Sequence, residues 1–176
     1  AYPHVTMVAR GARGESIRKN GLVLHSDYKG EIVARPERAV PVREMGQQDY
    51  IFICVKNYSL EDVCESIRDM VTEDTVIIPV MNGVDPGEKI RRLIGKGTVV
   101  DSLIYTVAFS NADFSVSQQD TFTWLCIGIK DADKKQQEKV AEVSAILKGA
   151  DIDYKDQSDI EVEIWRKYIL NCAFNV

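Results

Sequence analysis

Asp49-Tyr50-Ile51-Phe52-Ile53-Cys54-Val55-Lys56 (DYIFICVK, residues 49–56) is the stretch that decides the fold. Its apolar run is continuous rather than alternating, the pattern of a strand covered on both faces, as strands of a parallel sheet are. Tyr58 to Met70 follows with the period of an amphipathic helix. Thr75-Val76-Ile77-Ile78-Pro79-Val80 then repeats the buried-strand pattern, ahead of Met81-Asn82-Gly83. A short helix with Pro at its first turn, Pro86 to Ile94, leads to Thr98-Val99-Val100. Strands alternating with helices at this spacing predict a parallel α/β sheet.

Upstream, His4 to Ala9 is a short β-rich run ending at Arg10-Gly11, followed by a helix over Glu15–Asn20 that Gly21 closes. Leu22–His25 and Gly30–Ala34 flank Ser26-Asp27-Tyr28-Lys29 and predict a hairpin. Downstream of the alternating region, Ser102–Phe109 and Thr121–Ile129 are β-rich with no helix between them, which predicts antiparallel additions at the sheet edge. Asp133–Lys148 is a charged helix ending at Gly149, Asp151–Lys155 is a short extended piece, and a last helix opens at Ser158.

Composition narrows the function classes. The 176 residues suffice for one domain with a sizeable core, or one domain and part of another. With 45% hydrophobic and 28% charged residues the balance is that of a soluble globular protein. A net charge of -5 without a basic cluster argues against a nucleic-acid surface, and no apolar run is long enough for a membrane span. Cys54, Cys64, Cys126 and Cys172 have no metal-ligand spacing and read as reduced thiols of a cytoplasmic protein; with only His4 and His25, neither a His-based metal site nor His-based nucleophilic catalysis is expected. The chain starts without Met, so its true start is expected upstream.

The helix from Ser158 carries the most specific chemistry. Ser158-Asp159-Ile160-Glu161 has the capping-box pattern. At 100° per residue, Lys167, Asn171 and Asn175 form one stripe, with Ile160, Ile164 and Tyr168 on the same side. From Ile169 onward the helix is apolar nearly all round, which predicts burial. Glu163 stands four residues before Lys167, the spacing of an ordinary surface ion pair, and a solvated lysine is one reading. The other is that an ammonium and two amides on a buried face meet a polar protein surface or a cleft filled by a polar ligand.

In an open parallel sheet, ligands bind outside the carboxyl ends of the strands. The predicted strands end in Arg10 (with Arg13 close behind), Lys56-Asn57 and Asn82-Gly83. In dinucleotide-binding sheets an acid at the first of these positions suits the ribose 2′-hydroxyl of NAD, whereas Arg suits the 2′-phosphate of NADP. Here the position holds Arg10; a pair of surface arginines in a loop is the alternative. No G-x-G-x-x-G occurs in the sequence, so a Rossmann reading places the first strand, its phosphate loop and its helix before residue 1.

VTMVARG (5–11), DYIFICVK (49–56), VMNGV (80–84) and IWRKYILNCAFN (164–175) together resemble the ketopantoate reductase (2-dehydropantoate 2-reductase) family, in the family's order along the whole chain. The resemblance implies a Rossmann-type NADP-binding domain over residues 1–154 and, over 155–176, the start of an all-helical substrate domain that continues beyond the chain. It implies NADPH as cofactor and a small-molecule 2-oxo acid as substrate, ketopantoate being reduced to pantoate in pantothenate and coenzyme A biosynthesis. Lys167 would be the general acid. Asn171 and Asn175 would hold the substrate's hydroxyl and carboxylate parts, and Asn82 would lie between cofactor and substrate. Lys56 would sit near the nicotinamide, and Arg10 would take the 2′-phosphate. Further substrate contacts, a carboxylate and a Ser, are expected beyond Val176. No metal, nucleic-acid or membrane partner is implied, and a homodimer is compatible with the reading. A related reductase of another small 2-oxo acid, or a nucleotide-binding domain without catalysis, would share the fold.

Overall fold

The computed structural model of the protein describes residues 4–174. In chain order the elements are β1 (Thr6–Val8), α1 (Gly11–Asn20), β2 (Leu22–Ser26), β3 (Gly30–Ala34), β4 (Arg38–Val40), β5 (Tyr50–Ile53), α2 (Leu60–Ile67), β6 (Val76–Pro79), α3 (Pro86–Ile94) and β7 (Thr98–Val99). They continue with β8 (Asp101–Ser110), β9 (Val116–Gly128), α4 (Lys134–Gly149), β10 (Tyr154–Asp156) and α5 (Ile160–Phe174). The architecture is α/β and rich in parallel pairs, as the alternation of strand and helix patterns predicts. The chain forms two compact units: one takes the chain up to Gly46 together with Tyr105–Thr123, the other Gln47–Ile104 and the chain from Trp124 onward.

In the first unit, β1 pairs with β4 in parallel, Met7 opposite Ala39. Ala9, Ile17 and Ala39 form a small core there, with Met7 packed against it. The helix begins at Gly11, earlier than the predicted Glu15. Gly11-Ala12-Arg13-Gly14 forms its first turn, with the Gly14 N–H donating to the Arg10 carbonyl at 3.2 Å. Two glycines in four residues lower helix propensity and read as a loop. Gly14, however, lets the helix approach β1 closely, because a Cβ there would lie 3.0 Å from the Ala9 carbonyl oxygen. Gly21 ends the helix at φ 80°, with a Cβ position 2.8 Å from the Ala34 carbonyl, so only glycine fits the turn into β2. β2 and β3 form the expected antiparallel hairpin, and β2 also pairs in parallel with β9, His25 opposite Ser117.

In the second unit, β5, β6 and β7 form a parallel three-stranded sheet with β6 in the middle. All four residues of β6 are buried, as its continuous apolar run requires. In β5, Ile51 and Ile53 are buried while Phe52 is exposed, so coverage of this strand is one-sided at its centre. Val76 and Ile78 join Val100, Leu125, Ile127, Val143 and Leu147 in the main core, which places α4 against the sheet. Asp133 caps α4: its carboxylate accepts from Gln136 N–H at 2.8 Å, and the Gln136 side chain accepts from Asp133 N–H at 3.0 Å.

β8 and β9 pair with each other. The connection over 111–115 is too short for anything but an antiparallel return. β9 is more than an edge addition, since its far end also pairs in parallel with β10, Cys126 opposite Lys155.

The α5 start differs from the capping-box expectation. The helix begins at Ile160, two residues after Ser158, and the Glu161 carboxylate accepts from Lys130 Nζ at 2.5 Å rather than serving the helix end. Its apolar second half is also not buried among the described residues: Ile169 is 64% and Phe174 80% exposed, and the helix buries Ile160 and Lys167. A helix apolar all round has no preferred side by pattern alone; the side turned to the protein is set by which residues meet the sheet.

Candidate active site

Lys167 is the central observation. It is a buried lysine, 9% exposed, on the inner stripe of α5. Its Nζ donates to Asn82 Oδ1 at 3.0 Å and, in a short contact, to the Ile104 carbonyl of β8. Glu163, the expected surface partner, has its carboxylate engaged by Arg166 at 2.5 Å. Both acceptors named for Lys167 are neutral oxygens. Burial pulls the ammonium below the ordinary lysine range, opposed in part by the nearby Cys126 thiol.

Each acceptor is placed by local structure. β6 ends at Pro79 in a fully buried strand, so the polar loop that follows, with Asn82, emerges at the carboxyl end of the central parallel strand. Asn82 is exposed except toward Lys167, and α3 begins at Pro86 immediately after that loop. Lys56 follows β5, the neighbouring parallel strand, and is exposed; its carbonyl accepts from Ser59 N–H at 2.9 Å in the turn that starts the next helix. Asn171, one turn beyond Lys167 on the same stripe, is half-buried. Asn175 lies outside the described residues.

In the first unit, Arg10 follows β1 and caps α1 with an extended backbone. Its side chain is exposed and makes no ion pair among the described residues, while Arg13 donates to Ser110 Oγ at 3.4 and 3.3 Å. The first turn of α1 holds no acidic residue, so the cation and the free N–H groups of the helix start suit an anionic group. His25 lies 2.6 Å from Glu31 and His4 3.1 Å from Glu37, both as exposed surface pairs. A polar cavity of about 250 Å³ in this unit, lined by His25, Ser26, Asp27, Glu31 and Gln118 among others, contains none of the residues expected to bind cofactor or substrate or to act in catalysis.

Among the described residues no cluster of three or more His, Cys, Asp or Glu side chains could hold a metal ion, and no helix is long and apolar enough to cross a membrane. The four cysteines form no disulfide; Cys64 and Cys126 are buried, and burial pushes both thiols up.

The Ile104 carbonyl has no counterpart among the residues expected from the sequence. A main-chain oxygen leaves no mark in residue type, and only the course of β8 brings it to Lys167.

Fold and site thus define a Rossmann-type α/β protein with a buried lysine at the carboxyl end of a parallel sheet. The chain belongs to the ketopantoate reductase PanE/ApbA family, whose signature matches residues 1–131. It is 27% identical over 169 residues to an uncharacterized oxidoreductase, YkpB, of Bacillus subtilis, covering 96% of this chain and 54% of that protein. To the 2-dehydropantoate 2-reductase of Mesorhizobium japonicum it is 27% identical over 191 residues, covering 97% of this chain and 57% of that protein. The crystal structure of 2-dehydropantoate 2-reductase from Porphyromonas gingivalis W83 superposes with a TM-score of 0.81 at 27% identity, covering 93% of this chain and 57% of that one. D-mandelate dehydrogenase, solved with NADH and anilino(oxo)acetate, shares the fold at a TM-score of 0.78 and 18% identity, over 93% of this chain and 52% of that one. The chain spans about half the length of the curated relatives it matches.

Proposed function

We propose that the protein carrying this chain reduces the keto group of a small 2-oxo acid with NADPH, and that the substrate is 2-dehydropantoate (ketopantoate), converted to pantoate on the route to pantothenate and coenzyme A. The observation that carries the reading is the buried Lys167 hydrogen-bonded to Asn82 Oδ1 at 3.0 Å. The bound reduced nicotinamide supplies the hydride. As negative charge develops on the substrate's keto oxygen, the Lys167 ammonium stabilises it and gives up a proton. Burial lowers the pKa of that ammonium, which makes it a better acid near neutral pH than a solvated lysine.

Asn82 orients the Lys167 ammonium and lies between cofactor and substrate. Asn171 and Asn175 supply amide donors and acceptors for the hydroxyl and carboxylate groups of the substrate. Arg10, exposed and outside any ion pair among the described residues, fits the 2′-phosphate, and Lys56 serves the nicotinamide end. Residues 155 onward then begin a helical substrate domain. The protein is taken to be cytoplasmic, working without a metal, with a homodimer as its assembly.

A second reading, reduction of a different 2-oxo acid with NADH or NADPH, draws support from the shared fold of the NADH-bound mandelate dehydrogenase. The deciding experiment follows oxidation of NADPH and NADH by the full-length protein with ketopantoate and with aromatic 2-oxo acids, beside Lys167→Ala. Ketopantoate with NADPH is expected to be preferred, and the alanine variant to lose a factor of about 10² to 10⁴ in kcat. Retention of near-full kcat by Lys167→Ala removes the role given to the lysine.

A further inference from the structure

Two oxygens that accept from Lys167 come from different elements. Asn82 follows β6, and Ile104 belongs to β8. The geometry at Nζ therefore depends on how the end of β6 is tied to the start of β8. Up to that point the tie is a regular parallel ladder: Thr98 N–H donates to the Thr75 carbonyl at 2.9 Å and Val100 N–H to the Ile77 carbonyl at 3.0 Å. Two residues further on each strand, the next rung joins position 102 to position 79. There the ladder has ended, since β7 stops at Val99, and the connection is made by a side chain. Ser102 Oγ donates to the Pro79 carbonyl at 2.8 Å in a fully buried hydrogen bond. Pro79 has no N–H of its own, so at this position it can only accept. Ser102 is 6% exposed.

We infer that Ser102 is a positioning residue for Lys167: its hydroxyl extends the sheet by one rung and sets the spacing between Asn82 Oδ1 and the Ile104 carbonyl. Pro79 leads directly into the Asn82 loop, and Ser102 stands two residues before Ile104 on an extended backbone that transmits a displacement without slack. An aliphatic side chain at 102 leaves the Pro79 carbonyl buried without this donor and lets the two acceptors drift apart. The inference rests on the reading of Lys167 as proton donor, and its test separates the two.

Ser102→Ala, Ser102→Cys and Ser102→Thr are compared with wild type in the full-length protein by NADPH-dependent ketopantoate reduction. The Lys167 side chain is titrated in parallel by NMR of ε-carbon-labelled lysine, with the buried Cys126 thiol, the titrating neighbour on β9, left in place. Loss of the hydroxyl is expected to lower kcat by about 10- to 100-fold, as small misplacements of catalytic groups do, with KM for NADPH unchanged. The Lys167 titration is expected to move further below the ordinary lysine range, because the buried ammonium loses acceptors that favour its charged form. Ser102→Thr, which keeps the donor, is expected to stay near wild type. Ser102→Cys, close in size but a weak donor, is expected to behave like Ser102→Ala and decides the matter if the alanine variant does not fold. Wild-type kcat and titration in the variants lacking the hydroxyl, or a threonine variant as impaired as they are, overturns the inference. A shifted Lys167 titration in a protein that does not reduce ketopantoate sustains the positioning role and refutes the assigned reaction.

Discussion

Asn82→Asp is the sharpest single perturbation of the site. It keeps the size and the acceptor oxygen 3.0 Å from Lys167 Nζ but replaces a neutral amide by a carboxylate. At that distance the attraction between unit charges is about 1.4 kcal/mol at a dielectric constant of about 80 and about 5.5 kcal/mol at about 20. Asn82 is exposed and Lys167 buried, so the lower part of that range applies. Even about 1.4 kcal/mol is a factor of about ten in acidity. The sign is fixed by which form gains: the carboxylate stabilises the protonated lysine, so Lys167 holds its proton to higher pH and becomes a weaker acid. The pH dependence of kcat/KM reads this directly. Its high-pH limb, where the free enzyme's lysine deprotonates, is expected to move to higher pH, while the rate at neutral pH falls by about tenfold or more. Repulsion of an anionic substrate is expected to raise KM as well. A high-pH limb that stays in place, or moves down, would refute the assignment of that limb to Lys167 and the hydrogen bond on which the site is built.

Two further perturbations test other parts of the molecule. Arg10→Ala is expected to raise KM for NADPH by about 10- to 100-fold, the loss of one charge-assisted phosphate contact, and to leave KM for NADH nearly unchanged; equal effects on both cofactors would remove Arg10 from the 2′-phosphate. Gly128→Ala places a Cβ 2.1 Å from the Gln157 carbonyl, a backbone atom that cannot swing aside, where β9 meets the segment after β10. It is expected to cost about 1 to 3 kcal/mol in urea unfolding, and an unchanged midpoint would show that the two strands separate there freely.

The type of most elements can be read from the sequence because the signals are local. Helix α3 runs over Pro86–Ile94 with its proline at the first turn as expected, α4 covers the charged segment expected to be helical, and β6 is buried at every position of its apolar run. The stripe of Lys167 and Asn171 is likewise a matter of 100° per residue. Where local signals conflict, the reading slips. Glycine's low helix propensity hides the first turn of α1, and the Ser158 capping pattern loses Glu161 to Lys130, a residue 31 positions away.

What only the tertiary structure decides is partnership. No periodicity in β9 announces that it pairs in parallel with both β2 and β10, because a ladder is made by backbone groups that every residue carries. The same holds for the Ile104 carbonyl, and for the hydroxyl of Ser102, one serine among many until it meets Pro79. An apolar residue on α5 can be buried or exposed with the same sequence pattern, and the structure leaves Ile169 exposed and buries the lysine two residues before it. Local chemistry thus determines which elements form and which polar residues are available. The distant chain determines which of them lose their water, and so which lysine is buried.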